Sequence, residues 1–153
     1  MPQAASPLKT ALLDQIKAAM RAKEKDRLST LRLISAAIKQ QEVDNREDLD
    51  DTAVLAILTK MCKQRRDSIE QFEAAGRNDL AEIEIAELAI IAEFMPEAMS
   101  DADIDTAIQS AIAESGASSM RDMGSVMNIL RPQLQGRADM GAVSGRIKAA
   151  LTA

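Results

Sequence analysis

Apolar residues recur at intervals of three and four along most of this chain, which is the period of an amphipathic α-helix. The first stripe of this kind consists of Leu8, Leu12, Ile16, Ala19 and Met20. Six similar stripes follow, and no segment shows the strict apolar–polar alternation of a half-buried strand. The pattern predicts an all-α protein with seven helices.

Turn-forming residues divide the predicted helices into two groups. Gly76 ends the third helix, and Pro96 ends the fourth, because the residue before a proline avoids the helical region. Ser100 then provides a cap for a new helix. We therefore expect a four-helix N-terminal part over residues 1–95 and a small three-helix tail domain over residues 96–153.

The end of the chain combines helix-breaking residues with cations. Pro132 and Gly136 are predicted to end one helix and to redirect the chain, and Asp139 is predicted to cap the last helix. This corner would present four cations to solvent, namely Arg131, Arg137, Arg146 and Lys148.

Composition restricts the chemistry that the chain can perform. There is no histidine, and Cys62 is the only cysteine. Histidine is the commonest general base and metal ligand, and zinc–thiolate sites need more than one sulfur. We therefore predict no metal site, no cofactor and no catalytic site of its own. Aromatic residues amount to 1%, so aliphatic side chains must fill the core.

Charge is distributed unevenly, although the net charge is −5. Residues 1–40 carry eight cations against three anions, and residues 116–153 carry five against two. Between them, residues 78–115 carry ten anions and no cation. Because local charge decides whether a face can approach phosphates, the two basic ends keep nucleic-acid binding open despite the acidic total.

Arg65 and Glu87 interrupt the apolar stripes of the third and fourth predicted helices. They lie at equal distances in sequence from Gly76, where the chain turns. In an antiparallel hairpin that turns at Gly76 the two residues would be level. We predict a structural ion pair that sets the hairpin register. The alternative is a pair lining a groove for a carboxylate or phosphate.

A second group of cations lies at the turn between the first two helices. It consists of Lys23, Lys25, Arg27 and Arg32. Charged residues near a turn are usually solvated, and a solvated turn is the favoured interpretation here. Contact with RNA phosphates is the alternative.

Three segments closely resemble the YqeY family: KEKDRLSTLRLISAAIK (23–39), KQRRDSIEQFEAAGRNDLAEIEIAELAII (63–91) and GASSMRDMGSVMNILRPQLQGRADMGAV (116–143). The last segment also resembles the C-terminal tail domain of the B subunit of the glutamine-dependent tRNA amidotransferase. The resemblance extends over nearly the whole chain. It implies a four-helix part joined to a three-helix tail.

In the amidotransferase this tail helps to hold tRNA, while transamidation takes place in other domains. The resemblance therefore implies an RNA-associated module. The resemblance also implies carbon–nitrogen ligase activity with glutamine as amide donor, because family members are associated with that reaction. This chain, however, supplies no ATP loop and no glutaminase nucleophile. At the final turn, Arg137 keeps the usual cation, but Asp139 stands where the amidotransferase commonly has asparagine. An anionic cap disfavours a phosphate directly on that helix terminus.

Three hypotheses for the function follow. The leading one is a module that binds tRNA or another structured RNA, accessory to amide transfer, through Arg131, Gly136, Arg137, Arg146 and Lys148. The alternatives are a carbon–nitrogen ligase and a helical module that docks on a protein partner through its methionine-rich tail. The chain contains no run of about 18 apolar residues and no apolar signal core, so we expect a cytoplasmic protein without a membrane span.

Overall fold

A computed structural model describes residues 6–152, and within them the fold is all-α, which confirms the predicted class. Seven α-helices and a 3₁₀ turn at Met120–Asp122 follow one another: α1 (Pro7–Ala22), α2 (Lys25–Asn45), α3 (Asp51–Ala74), α4 (Asn78–Ala92), α5 (Asp101–Ser115), α6 (Met123–Leu134) and α7 (Met140–Thr152). The chain divides into two compact units between residues 95 and 96. That these parts are separate domains stays a prediction.

Unit 1 contains α1 to α4 around an aliphatic core. Because α2 and α3 are each longer than 20 residues, their apolar stripes supply most of the buried side chains. The core consists of Leu12, Ala19, Leu31, Ile34, Ile38, Leu49, Val54, Ile57, Leu58, Met61, Cys62 and Ile91. Met61 and Cys62 pack in this core beside the aliphatic side chains.

Polar contacts at the helix ends connect the elements of unit 1. The hydroxyl of Ser6 donates to the Asp51 carboxylate at 2.5 Å, and the same hydroxyl accepts from the Lys9 backbone N–H, which caps α1. Lys9 in turn donates to Glu42 of α2 at 2.8 Å. The first turns of α1 and α3 and the end of α2 are thereby fixed together.

Unit 2 is a three-helix arrangement of α5, α6 and α7 with its own core. Its most deeply buried side chains are aliphatic: Val126, Leu130, Leu134, Val143 and Ile147. Ser100 caps α5 by accepting from the Asp103 backbone N–H at 3.1 Å, as predicted from the sequence. Gly116 ends α5 with a positive φ of 69°.

The prediction that Pro132 ends its helix is wrong. Helix α6 runs through the proline to Leu134. Only two helical residues follow Pro132, so the missing N–H removes one hydrogen bond near the helix end. Leu134 is fully buried in the core of unit 2, and this burial holds the last turn in helical conformation. The chain turns afterwards, at Gly136, whose φ is +80°.

Candidate nucleic-acid interface

The corner between α6 and α7 is a short, internally hydrogen-bonded turn. The backbone N–H groups of Arg137 and Ala138 both donate to the Leu134 carbonyl, at 2.8 and 3.1 Å. Gly136 makes the turn possible, because its positive φ is a conformation that other residues rarely adopt. The side chain of Arg137 points away from the core of unit 2 and is exposed.

Arg137 also fastens the segment that leads into α5. Its Nε donates to the carbonyl of Glu97 at 3.0 Å, and its own carbonyl accepts from the Met99 backbone N–H at 2.9 Å. A guanidinium group has five N–H donors, and this contact uses one of them. Arg137 is therefore a structural residue that retains donors facing solvent.

Arg146 is held by the acidic start of α5. Its guanidinium donates to the Asp101 carbonyl at 3.1 Å and to the Asp105 carboxylate, and it lies 3.6 Å from the Asp101 carboxylate. The Arg146 side chain is only 30% exposed. Of the four cations predicted for the corner, Arg146 is the one most occupied by contacts within the chain.

Arg131 and Lys148 have a different environment. Both side chains are exposed, and neither takes part in an ion pair or side-chain hydrogen bond within residues 6–152. Arg131 lies in the last turn of α6, and Lys148 lies on α7. Arg121 and Arg137 likewise have no carboxylate partner within residues 6–152, so Arg146 is the cation of unit 2 whose charge is neutralised by neighbouring carboxylates.

The N-terminus of α7 is already occupied by a carboxylate. Asp139 Oδ1 accepts from the backbone N–H groups of Gly141 at 2.9 Å and Ala142 at 3.4 Å. The prediction that Asp139 caps this helix is confirmed by these contacts. An external phosphate would have to displace this carboxylate or avoid it, so phosphate contacts at the corner fall to side chains.

The α3–α4 hairpin contains a three-residue ionic cluster. Arg65 Nε donates to Glu87 Oε2 at 2.7 Å, and Glu84 Oε2 lies 3.4 Å from the same nitrogen. The three side chains are half-buried, at 17%, 23% and 24% exposure. The equal spacing about Gly76 predicted the pairing of Arg65 with Glu87, but it did not predict the contact with Glu84. Glu84 is one helical turn before Glu87 and therefore lies on the same face.

This cluster has one carboxylate more than it has cations. Glu84 Oε2 is buried and makes no hydrogen bond within the described part of the chain. The Arg65 guanidinium lies between two helices and reaches both carboxylates. Arg65 and Glu87 are thus in contact, and their role in setting the register of α3 against α4 stays a prediction.

Cys62 lies next to this cluster and is buried in the core of unit 1. Burial raises the pKa of its thiol, and the positive charges of Arg66 and Arg65 only partly oppose that rise. The reactive form of a cysteine is the thiolate. The environment of Cys62 therefore favours a packing role over a nucleophilic one.

The cations at the α1–α2 turn are not equivalent. Arg27 is bound by Glu93 at 2.6 and 3.2 Å and donates to Gln15 at 2.9 Å. Lys23, Lys25 and Arg32 are exposed and have no such partner within residues 6–152. Three of the four cations that the sequence grouped together are thus available to an external anion.

The chain is a small all-α protein with two compact units and exposed cations near its C-terminal end. Comparison with known proteins identifies its family: the family model described as Yqey-like protein matches residues 9–151, and the chain belongs to that family. The resemblance seen in the three sequence segments is thereby confirmed.

Individual relatives carry a common name. The chain is 36% identical over 106 residues to the mitochondrial protein "Altered inheritance of mitochondria protein 41" of Lachancea thermotolerans, covering 67% of this chain and 57% of that protein. It is 33% identical to the protein of the same name from Pyrenophora tritici-repentis, covering 87% and 75%. It is 39% identical to the protein of the same name from Eremothecium gossypii, covering 55% of this chain and 46% of that protein. The chain thus spans about half to three quarters of these relatives.

These names correct the expectation of a cytoplasmic protein, which is wrong: the relatives are named as mitochondrial proteins. The expectation depended on the absence of a long apolar run and of an apolar signal core. Both properties are shared by proteins of several compartments, so they had no power to distinguish the cytoplasm from the mitochondrion. Each helix within residues 6–152 is too short or too polar to span a bilayer.

Proposed function

We propose that this protein is an RNA-binding module whose ligand is tRNA or another structured RNA. The observation that supports the proposal is that Arg131, in the last turn of α6, and Lys148, on α7, are exposed and have no carboxylate partner within residues 6–152. The resemblance of this segment to the tail domain of the tRNA amidotransferase B subunit supports the choice of RNA as the anion.

The roles of the corner residues differ under this proposal. Arg131 and Lys148 contact phosphates directly. Arg137 contributes the donors that its bond to the Glu97 carbonyl leaves free. Gly136 allows the backbone to turn and approach the ligand closely. Arg146 acts indirectly, because its contacts with Asp101 and Asp105 hold α5 against α7.

Recognition would depend on RNA shape more than on base sequence. The two aromatic residues, Phe72 and Phe94, are half-buried in unit 1. Sequence-specific binding of single-stranded RNA commonly uses exposed aromatic rings on which bases stack. A surface of arginine and lysine instead reads the phosphate backbone and its geometry.

The proposal assigns the chain an accessory part in tRNA-dependent amide formation rather than the carbon–nitrogen ligase chemistry itself. The environment of Cys62 does not favour a nucleophile, because the thiol is buried and its pKa is raised. The chemical step would then belong to a separate protein that acts on the same RNA.

The test is binding of the purified full-length chain to tRNA across a series of salt concentrations. Phosphate contacts make the logarithm of the binding constant fall linearly with the logarithm of salt concentration. We expect the double variant Arg131→Gln/Lys148→Gln to reduce that slope by about two, or about one per cation removed. The control is Lys60→Gln/Arg66→Gln, which removes the same charge from exposed positions on α3 that also have no carboxylate partner within residues 6–152.

Three results would contradict the proposal. The parent chain could fail to bind tRNA even at low salt, which would favour the docking of a protein partner on the tail. The corner variant and the α3 control could reduce the slope equally, which would show a non-specific effect of net charge. A strong preference for one base sequence would also contradict recognition by shape.

A further inference from the structure

A line of cations runs along the outer side of α2. Lys25, Arg32 and Lys39 are spaced by seven residues, close to two helical turns, so about 10 Å separates each from the next along the axis. All three side chains are exposed. We call these three residues the α2 cationic stripe.

The face that carries the stripe contains no acidic residue. The exposed residues that share this face are Lys25, Ser29, Arg32, Leu33, Ala36, Lys39, Gln40 and Val43. The acidic residues of α2 are Asp26, Glu42 and Asp44, and at about 100° per residue they project to either side of it. Asp44 Oδ1 accepts from Gln40 at 2.9 Å, so one carboxylate reaches the C-terminal end of this face.

The stripe differs from Lys9 of α1 and Arg27 of α2, which are paired, whereas Lys17 and Arg21 of α1 are exposed and have no ion pair within residues 6–152. Lys9 and Arg27 lie 2.8 and 2.6 Å from glutamate oxygens. The three stripe residues make no ion pair or side-chain hydrogen bond within residues 6–152. Lys39 contributes to lowering the pKa of Glu42, but Lys9 and the Leu49 backbone N–H contribute more.

Lys23, the C-cap residue of α1, adds a fourth exposed cation in an unusual conformation. Its φ is +57°, in the left-handed region where glycine is the favoured residue. A cation near the end of α1 is favourable to the helix dipole, yet glycine would relieve the backbone strain. Arg46, at the end of α2, is in the same conformation, with φ of +56°.

We propose that the α2 cationic stripe together with Lys23 forms a second surface for the phosphate backbone of structured RNA, separate from the terminal corner. The choice of RNA as the polyanion rests on the proposed function. The outer stripe cations are about 20 Å apart, which is more than a free phosphate or a mononucleotide would bridge. The ligand must therefore be an extended polyanion.

A membrane surface fits this face less well than RNA does. Leu33 and Val43 are the large apolar side chains exposed on it, and they lie ten residues apart. An interfacial helix needs a continuous apolar face opposite its charged one. In α2 the continuous apolar face is buried in the core of unit 1, with Leu31, Ile34 and Ile38 almost fully covered.

The main experiment removes the stripe from the full-length chain. In Lys25→Gln/Arg32→Gln/Lys39→Gln, the slope of the tRNA salt dependence should fall by about three, or about one per cation. The control, Lys60→Gln/Lys63→Gln/Arg66→Gln, removes three exposed cations from α3, of which Lys63 is paired with Asp67 at 2.9 Å, and should change the slope by less than one. A stripe variant that keeps the parent's slope would overturn the inference.

A second experiment separates binding from folding. Lys23→Gly should raise the melting temperature, because it removes backbone strain, and yet reduce the salt slope by about one. Arg46→Gly removes a cation from the same backbone conformation, but in a loop whose neighbours Glu47, Asp48 and Asp50 are acidic. It should raise the melting temperature without changing tRNA binding. Equal binding losses in both variants would contradict the assignment of Lys23.

The corner variant Arg131→Gln/Lys148→Gln distinguishes this inference from the proposed function. If the corner variant loses binding and the stripe variant does not, the stripe assignment fails and the proposed function stands. If the stripe variant loses binding and the corner variant does not, the stripe is supported as a binding surface and the corner is not. If the parent binds vesicles of anionic lipid but not tRNA, RNA is not the ligand of this surface. If the parent binds neither, the inference is also overturned.

Discussion

The two units use their arginine and lysine residues for different structural purposes. In unit 1, the side chain of Arg65 on α3 contacts Glu87 and Glu84 of α4, at 2.7 and 3.4 Å. In unit 2, Arg137 and Arg146 instead fasten the segment at the start of α5, through the Glu97 carbonyl and the Asp101 and Asp105 carboxylates. Each unit also has cations without partners inside residues 6–152, and these mark its outward-facing basic surface.

The comparison shows why a local count of charge does not define a binding surface. Residues 116–153 and residues 1–40 are both basic. In each segment some cations are neutralised by carboxylates that are distant in sequence, as Arg146 is by Asp105 and Arg27 is by Glu93. The cations that remain unpaired are fewer than the sequence suggests, and they are not the complete groups that the sequence predicted.

The largest expected effect tests the ionic cluster of unit 1. We expect Arg65→Met to lower the free energy of unfolding by about 2–3 kcal/mol, below the ~3–5 kcal/mol of a fully buried pair because the groups are partly solvated. Glu87→Leu should cost less, since Arg65 keeps Glu84 at 3.4 Å. Denaturant unfolding of both variants provides the measurement. Equal losses would show that Glu84 does not contribute.

A smaller effect is expected in unit 2 and tests the division between paired and unpaired cations. Arg146→Gln should destabilise this unit by about 1 kcal/mol, because Asp101 and Asp105 lose their partner and the pair is only partly buried. Arg131→Gln should change stability by less than about 0.5 kcal/mol. Hydrogen exchange of the α5 and α7 amides measures both. Similar protection in the two variants would show that Arg146 does not stabilise unit 2 more than Arg131 does.

The smallest expected effect concerns pH and unit 1. The hydrogen bonds from Lys9 and from the Leu49 backbone N–H lower the pKa of Glu42 below its ordinary value of 4.5. A carboxyl group whose pKa is lower in the folded state stabilises the fold above its unfolded pKa, and this contribution disappears as pH falls through the folded value.

Below about pH 4.5 the parent should therefore lose stability more steeply than Glu42→Gln. Stability measured between pH 6 and pH 3 provides the comparison, and Glu47→Gln serves as control because Glu47 is exposed and unpaired within residues 6–152. If Glu42→Gln and Glu47→Gln follow the same pH curve, the Lys9–Glu42 contact does not influence acid stability.

Local sequence signals located most of the helix boundaries. Ser100 and Asp139 cap their helices, and Gly76 and Gly116 end theirs in left-handed conformation, as their residue types suggested. These predictions depended on neighbours within four residues, so one sequence was sufficient. Pro132 was the exception, because burial of Leu134 in the core extends the helix past the proline.

The sequence alone determined the fold class, the level pairing of Arg65 with Glu87 and the resemblance to the YqeY family. Periodicity and equal offsets about a turn are properties of the chain itself. Only the tertiary structure decided which cations are free. It bound Arg146 to Asp105, 41 residues away, and Arg27 to Glu93, 66 residues away. It also left Lys25, Arg32 and Lys39 without partners inside residues 6–152. An ion pair between distant segments depends on how the helices pack, and helical periodicity contains no information about that packing.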